Sequence, residues 1–291
     1  MASTMALLAQ LEAAKMLYPS LSPVLDHRSA VSKSTWGTRV ETGKSIEVLS
    51  ICGLLSAAAS MNFSVLIPSM YFENPDLFYI RNTVPRSHDA QAGHDATILD
   101  SIPLSDRFIA ALTPKAILEH ASGRKFLAFR EGLPAHFISV IAKGGVAYLE
   151  RPDIIIMEGD FDIQVEEAGV LGFHFHTCSG TLAGSLRIRN DTNLPLKSIS
   201  SNFSNEKYIY SIIECSVSKG RVKAEDQLAT YLELFGGAEV MFNVFVNGRD
   251  KPCPAYDHEI LIDPITMDSS RIARNFFEGF IPLVNFLDQR S

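Results

Sequence analysis

Two carboxylates stand at the ends of apolar runs. In RPDIIIMEGD (151–160), Asp153 opens a run whose three isoleucines read as a buried strand, and Pro152 is tolerated at a strand's first position. In KYIYSIIECSV (207–217), Glu214 ends a second apolar run, two residues before Ser216. Strand side chains alternate, so Asp153 shares a face with Ile155 and Met157, and Glu214 shares one with Ile212 and Ser216. If the two strands are neighbours, the carboxylates converge. They then repel unless a cation lies between them, and hard oxygen ligands completed by water suit Mg2+, with Mn2+ as a substitute.

A metal held by paired carboxylates, with a lysine nearby, is what phosphodiester hydrolysis needs. The metal lowers the pKa of a bound water and neutralises charge on the phosphate; the lysine orients the nucleophile and stabilises the transition state. Lys219 and Lys223 follow Glu214 at short range. Lys219 lies beyond the expected strand end, where a long flexible stem could swing back over the metal.

Other patterns carry less. His174, His176 and Cys178 in GFHFHTCSG alternate onto one strand face, as in a β-rich metal-binding protein. A zinc site wants three or four ligands in a closed shell, and no second Cys or His cluster follows, so the simpler expectation is histidines on a sheet face with polar partners. Gly43-Lys44-Ser45 lacks both the earlier glycine and the preceding strand of a phosphate-binding loop. No G-x-S-x-G elbow is present.

Two further motifs join the carboxylates. ETGKSIEVL (41–49) places Glu47 on an expected helix, and Gln227-Leu-Ala-Thr-Tyr231 places a QxxxY pattern on the helix after Glu214. In this order the chain resembles the PD-(D/E)XK nuclease superfamily, which includes many type II restriction endonucleases; the resemblance spans roughly residues 40–250. It implies an α/β fold, a mixed central β-sheet flanked by helices, with an N-terminal helical part. It implies metal binding by Asp153 and Glu214, supported by Glu47, and positioning of the lysine or a phosphate by Gln227 and Tyr231. It also implies sequence-specific cleavage of double-stranded DNA by a homodimer. Two departures stand out. Ser216 occupies the family's lysine position, so Lys219 becomes the stand-in, or the chain is a catalytically inactive DNA-binding relative. The 61 positions between Asp153 and Glu214 exceed the usual hairpin, which implies an insertion near 174–195. There Arg187 and Arg189, alternating in SLRIRN, are the candidates for phosphate contact.

The elements that must position these residues follow from periodicity. Helices are expected over 1–18, 41–61, 106–121, 133–145, 221–235 and 269–286, the last interrupted near Pro282. Strands are expected from 146 onward, in VAYLERPDIIIM, FDIQVEEAGVLGFHFHTC, SLRIRN, KYIYSIIECSV and AEVMFNVFVN. The 291 residues read as one domain: an N-terminal helical extension (1–40), a core (41–250) and a closing segment (251–291). A formal charge of −7 argues against non-specific coating of nucleic acid or acidic membrane, though not against a local basic cleft. Four scattered cysteines without a CxxC pair, no basic leader and no apolar run of membrane length point to a cytoplasmic protein.

Overall fold

In the computed structural model, the apolar residues of 41–61 are buried nearly all round helix α1 (Arg39–Ala59). The structure describes residues 39–80, 103–131, 152–167, 169–189, 200–201, 209–216, 221–234, 242–247, 253–263 and 266–291. The helices expected over 1–18 and 133–145 lie outside them. Ile46, Leu49, Leu54, Leu55 and Ala58 of α1 join one core with the closing helix α5 (Ser269–Arg290). At the crossing, a Cβ added to Gly53 would lie 2.9 Å from the Phe276 carbonyl oxygen, so only glycine admits this approach.

The expected break at Pro282 does not occur: α5 runs through it to Arg290. A proline removes one amide donor from a helix. Here burial of Ile272, Phe276, Phe280, Leu283, Val284 and Leu287 along one stripe outweighs that loss. The Asp268 carboxylate caps the start by accepting from the Arg271 amide at 2.8 Å.

A seven-stranded mixed sheet lies under α1 and α5, in the order β1 (Phe63–Leu66), β2 (Ala116–His120), β3 (Lys125–Arg130), β4 (Ile154–Glu158), β9 (Ile209–Ser216), β10 (Phe242–Asn247), β11 (His258–Leu261). The pairs from β1 to β9 are antiparallel, and β9, β10 and β11 run parallel. Parallel neighbours need a crossover, and α4 (Arg221–Leu234) supplies it between β9 and β10. Between β4 and β9 the chain builds a second, four-stranded antiparallel sheet: β5 (Asp160–Glu167), β6 (Val170–His176), β7 (Leu182–Arg189) and β8 (Ser200–Ser201).

Alternation sorts the central strands between two cores. Ala128, Ile154, Ile156, Ile213 and Val244 face α1 and α5. Leu127, Phe129, Ile155, Met157 and Ile212 face the other way, against Leu171, Phe173, Phe175 and Leu186 of the second sheet and Tyr231 of α4. The mixed α/β class expected from the sequence is therefore present, with β5 to β8 forming a second sheet that covers one face.

Further assignments change. The stretch 106–121, expected as one helix, is α3 (Leu104–Leu112) followed by β2. Pro114 disfavours a helical Thr113, whose amide closes the helix on the Ile109 carbonyl; beyond it Ala116 and Leu118 alternate inward. Strand β3 was not expected at all, because the run FLAF lacks the polar–apolar alternation of a half-buried strand. It is buried on both faces instead. A short helix α2 (Met70–Glu73) and a 3-10 turn (Pro75–Tyr79) pack against α3. Among the described residues, no helix is long and apolar enough to cross a membrane.

Candidate metal centre

Three chain segments meet where β3 ends and β4 begins. The antiparallel register pairs Ile154 with Ile213, which sets Asp153 opposite Glu214. Asp153 is tied on both sides: its Oδ2 accepts from the Cys215 amide at 2.7 Å, and its carbonyl accepts from the Glu131 amide at 2.7 Å. Glu131 has φ of 48°, a left-handed conformation rare outside glycine. That turn leaves its buried carboxylate with those of Asp153 and Glu47, the latter on α1. One oxygen from each of the three lies within 4.8 Å of the others.

Such a cluster repels itself, and a fully buried cation answers part of that repulsion. The Arg130 Nε donates to Glu47 Oε2 at 2.6 Å from the last position of β3. Burial works against the guanidinium's charge, yet Glu47, Glu131 and Asp153 outweigh it and hold its pKa above the ordinary value. Three carboxylates against one guanidinium leave two negative charges when all are ionised.

Glu214, 1% exposed, is engaged from the opposite face. Tyr231 Oη donates to its Oε2 at 3.0 Å, and Gln227 Nε2 donates to its Oε1 at 3.2 Å. The two donors stand four residues apart on α4, one turn of a helix, so both reach the same carboxylate. Burial first, and then the Glu214 and Asp153 charges, push the Tyr231 phenol well above its usual pKa, keeping it a donor. Tyr231→Phe removes a buried bond to a charged acceptor and is expected to cost about 2 kcal/mol in urea unfolding. An unchanged midpoint would show that the bond does not hold α4.

The structure thus brings Glu47 and Asp153 together and adds Glu131, while Glu214 takes the register position opposite Asp153 with its carboxylate held by Gln227 and Tyr231. Ser216 is buried at the end of β9, opposite Asn247 of β10. Lys219 lies outside the described residues, and Lys223 falls on α4. Arg187 of β7 is ion-paired with Glu166, and Arg189 occupies the register position opposite Val170. The face that carries Arg187 is turned away from the central sheet, since Leu186 beside it packs inward. His174 and His176 stand on that outer face, 3.4 Å from Glu166 and 3.6 Å from Asp162. The Cys178 thiol instead sits beside Lys125, Glu158 and Arg124, so the three do not form one ligand set.

Sequence reasoning placed neither Glu131 nor Arg130 beside the acids, and it missed Tyr256. The first two sit on the unexpected strand β3 and its end. Tyr256 stacks on Phe245 with ring centroids 5.0 Å apart, and Phe245 is the register partner of Glu214. Burial, then Glu214 and other nearby acids, raise its phenol pKa. Among the described residues, the buried Tyr256 hydroxyl and Gln227 Oε1 have no hydrogen-bond partner. The Cys215 thiol is no nucleophile: burial first, then Asp153, push its pKa far up, and it faces Ser50 Oγ at 3.4 Å. The only cluster of metal-ligating side chains among the described residues is that of Glu47, Glu131 and Asp153. No family model, curated protein or solved structure matches the chain.

Proposed function

We propose that the chain is a divalent-metal-dependent deoxyribonuclease that cuts double-stranded DNA as a homodimer, in the manner of type II restriction enzymes. The observation that carries this reading is the convergence of Glu47, Glu131 and Asp153 beside Glu214, at the point where antiparallel β4 meets the β9–α4–β10 crossover. The donor set is all hard carboxylate oxygen, which suits Mg2+ or Mn2+ and not a thiolate- or imidazole-seeking ion. When bound, such an ion supplies a water of lowered pKa and neutralises charge on the scissile phosphate.

The chain's own residues set the stage for that chemistry. Asp153 is oriented by the Cys215 amide, and Glu214 is fixed by Tyr231 and Gln227, so neither carboxylate has to be ordered when substrate arrives. Glu131 and Glu47 bring two further oxygens from β3's end and α1. The supporting experiment is incubation of supercoiled plasmid with the full chain, with Mg2+ and with EDTA. Linear or nicked product that depends on Mg2+ is expected, and intact plasmid at stoichiometric protein would refute the reading.

A second reading is a nuclease-fold DNA-binding module that no longer cuts. Two observations favour it: Ser216 stands where the resembled family has lysine, and Arg130 already pairs with Glu47. Plasmid retardation in a gel without cleavage, in Mg2+ and in Mn2+ alike, is its signature.

A further inference from the structure

We propose that Arg130 is the built-in cation of this site, a positioning residue that supplies from the Glu47 side the positive charge absent at Ser216. This rests on the nuclease reading. Arg130 is 1% exposed and reaches the acids from the end of β3, with its Nε 2.6 Å from Glu47 Oε2. The charges of Glu131 and Asp153 also act on it. Its carrier strand is hydrogen-bonded to β4, where Arg130 pairs with Ile154, the residue after Asp153. The guanidinium is thus placed by the same ladder that places the acid.

Other described basic side chains near the sheet are committed elsewhere. Lys115 Nζ donates to Tyr71 Oη at 3.2 Å and to the Leu77 and Ala110 carbonyls at 3.3 Å. Arg124 pairs with Glu158, and Lys125 pairs with Asp160 at 2.6 Å. Arginine suits the role better than lysine would at this depth, because it keeps its charge when buried.

Two consequences separate this role from simple bracing of Glu47. Arg130 offsets one of the three negative charges of the Glu47, Glu131 and Asp153 cluster, so these acids stay together without metal. Arg130 also competes with that ion for the same oxygens. Removing its charge therefore tightens metal binding while weakening stabilisation of charge that builds on the phosphate. A residue that only held Glu47 in place would, when lost, weaken metal binding.

Arg130→Gln keeps a donor for Glu47 and removes the charge; Arg130→Lys keeps the charge. The measurements on the full chain are plasmid cleavage against Mg2+ concentration, Mn2+ titration by calorimetry without DNA, and thermal melting by circular dichroism. For Arg130→Gln, kcat is expected to fall about 100-fold while the half-saturating Mg2+ and the Mn2+ dissociation constant both drop several-fold. Arg130→Lys is expected to keep kcat within about tenfold of the parent. A folded Arg130→Gln protein with parental kcat, or with weaker Mn2+ binding, overturns the proposal and leaves the nuclease reading standing. If the parent chain cuts nothing in Mg2+, both fall. Should Arg130→Gln fail to fold, Arg130→Lys decides: activity near the parent's supports the role, and a folded inactive protein overturns it.

Discussion

Asp153→Asn is expected to abolish Mg2+-dependent cleavage, by about 1,000-fold or more, without loss of fold. Asparagine still offers one side-chain oxygen to the Cys215 amide, which Asp153 Oδ2 meets at 2.7 Å, so the contact between β4 and β9 survives. The backbone bond from Glu131 to the residue 153 carbonyl is untouched by the change. What disappears is one negative charge among three carboxylates whose oxygens stand within 4.8 Å. Relief of that repulsion predicts an equal or higher melting temperature, measured in EDTA, alongside lost activity. Plasmid cleavage and thermal melting on the same preparation check both halves. Cleavage at the parent's rate would remove Asp153 from the site. A collapsed melting temperature would show the carboxylate to be structural.

The second large effect is expected in stability against pH, from Lys115. This amine is completely buried, and burial, followed by the Arg130 charge, holds its pKa well below the usual 10.5. Between that depressed value and the unfolded one, the unfolded chain binds a proton that the folded chain does not. Stability therefore rises with pH through this window, by about 1.4 kcal/mol per pH unit from this one group. The rise is cleanest below about pH 8.5. Above that, thiols begin to ionise in the unfolded chain, while burial holds the folded Cys52 at about 12, and this opposes the trend. Lys115→Met is expected to flatten the slope, because methionine fills the space without a titrating group. Its stability at any one pH is set separately, since the bonds to the Leu77 and Ala110 carbonyls are lost. Urea unfolding of both proteins at pH 7.0 and 8.5 measures the difference in slope; equal slopes would show that Lys115 is charged in the folded chain.

Lys115 also illustrates what a linear reading overlooks. In DRFIAALTPKAILEHA it sits in a plausible helix with its amine in water. The structure ends the helix at Leu112 and closes the Lys115 amine against Tyr71, Leu77 and Ala110, residues 44, 38 and 5 positions away. Strand β3 escaped for a related reason. Buried on both faces, it has no alternation to read, and a four-residue apolar run fits a helix equally well. Missing β3 meant missing that Arg130 and Glu131 join Glu47 and Asp153.

The pattern of residues along the chain determined much of the rest by itself. Asp153 and Glu214 end apolar runs because a buried strand tolerates a carboxylate only at its mouth, and that is a local fact of burial. Gln227 and Tyr231 share a helix face because the helix repeat puts residues four apart together. The class of the fold followed from the succession of such elements. Only tertiary structure decided which carboxylates meet. Glu47 joins Asp153 because α1 packs on the sheet face shared by Ile154 and its register partner Arg130, whereas Gln227 and Tyr231 close on Glu214 because α4 covers the opposite face. Side-chain period assigns a residue to a face, but which strand pairs with which, and in what register, comes from packing between residues far apart in the chain. Asp153 and Glu214, 61 positions apart, stand opposite each other for that reason.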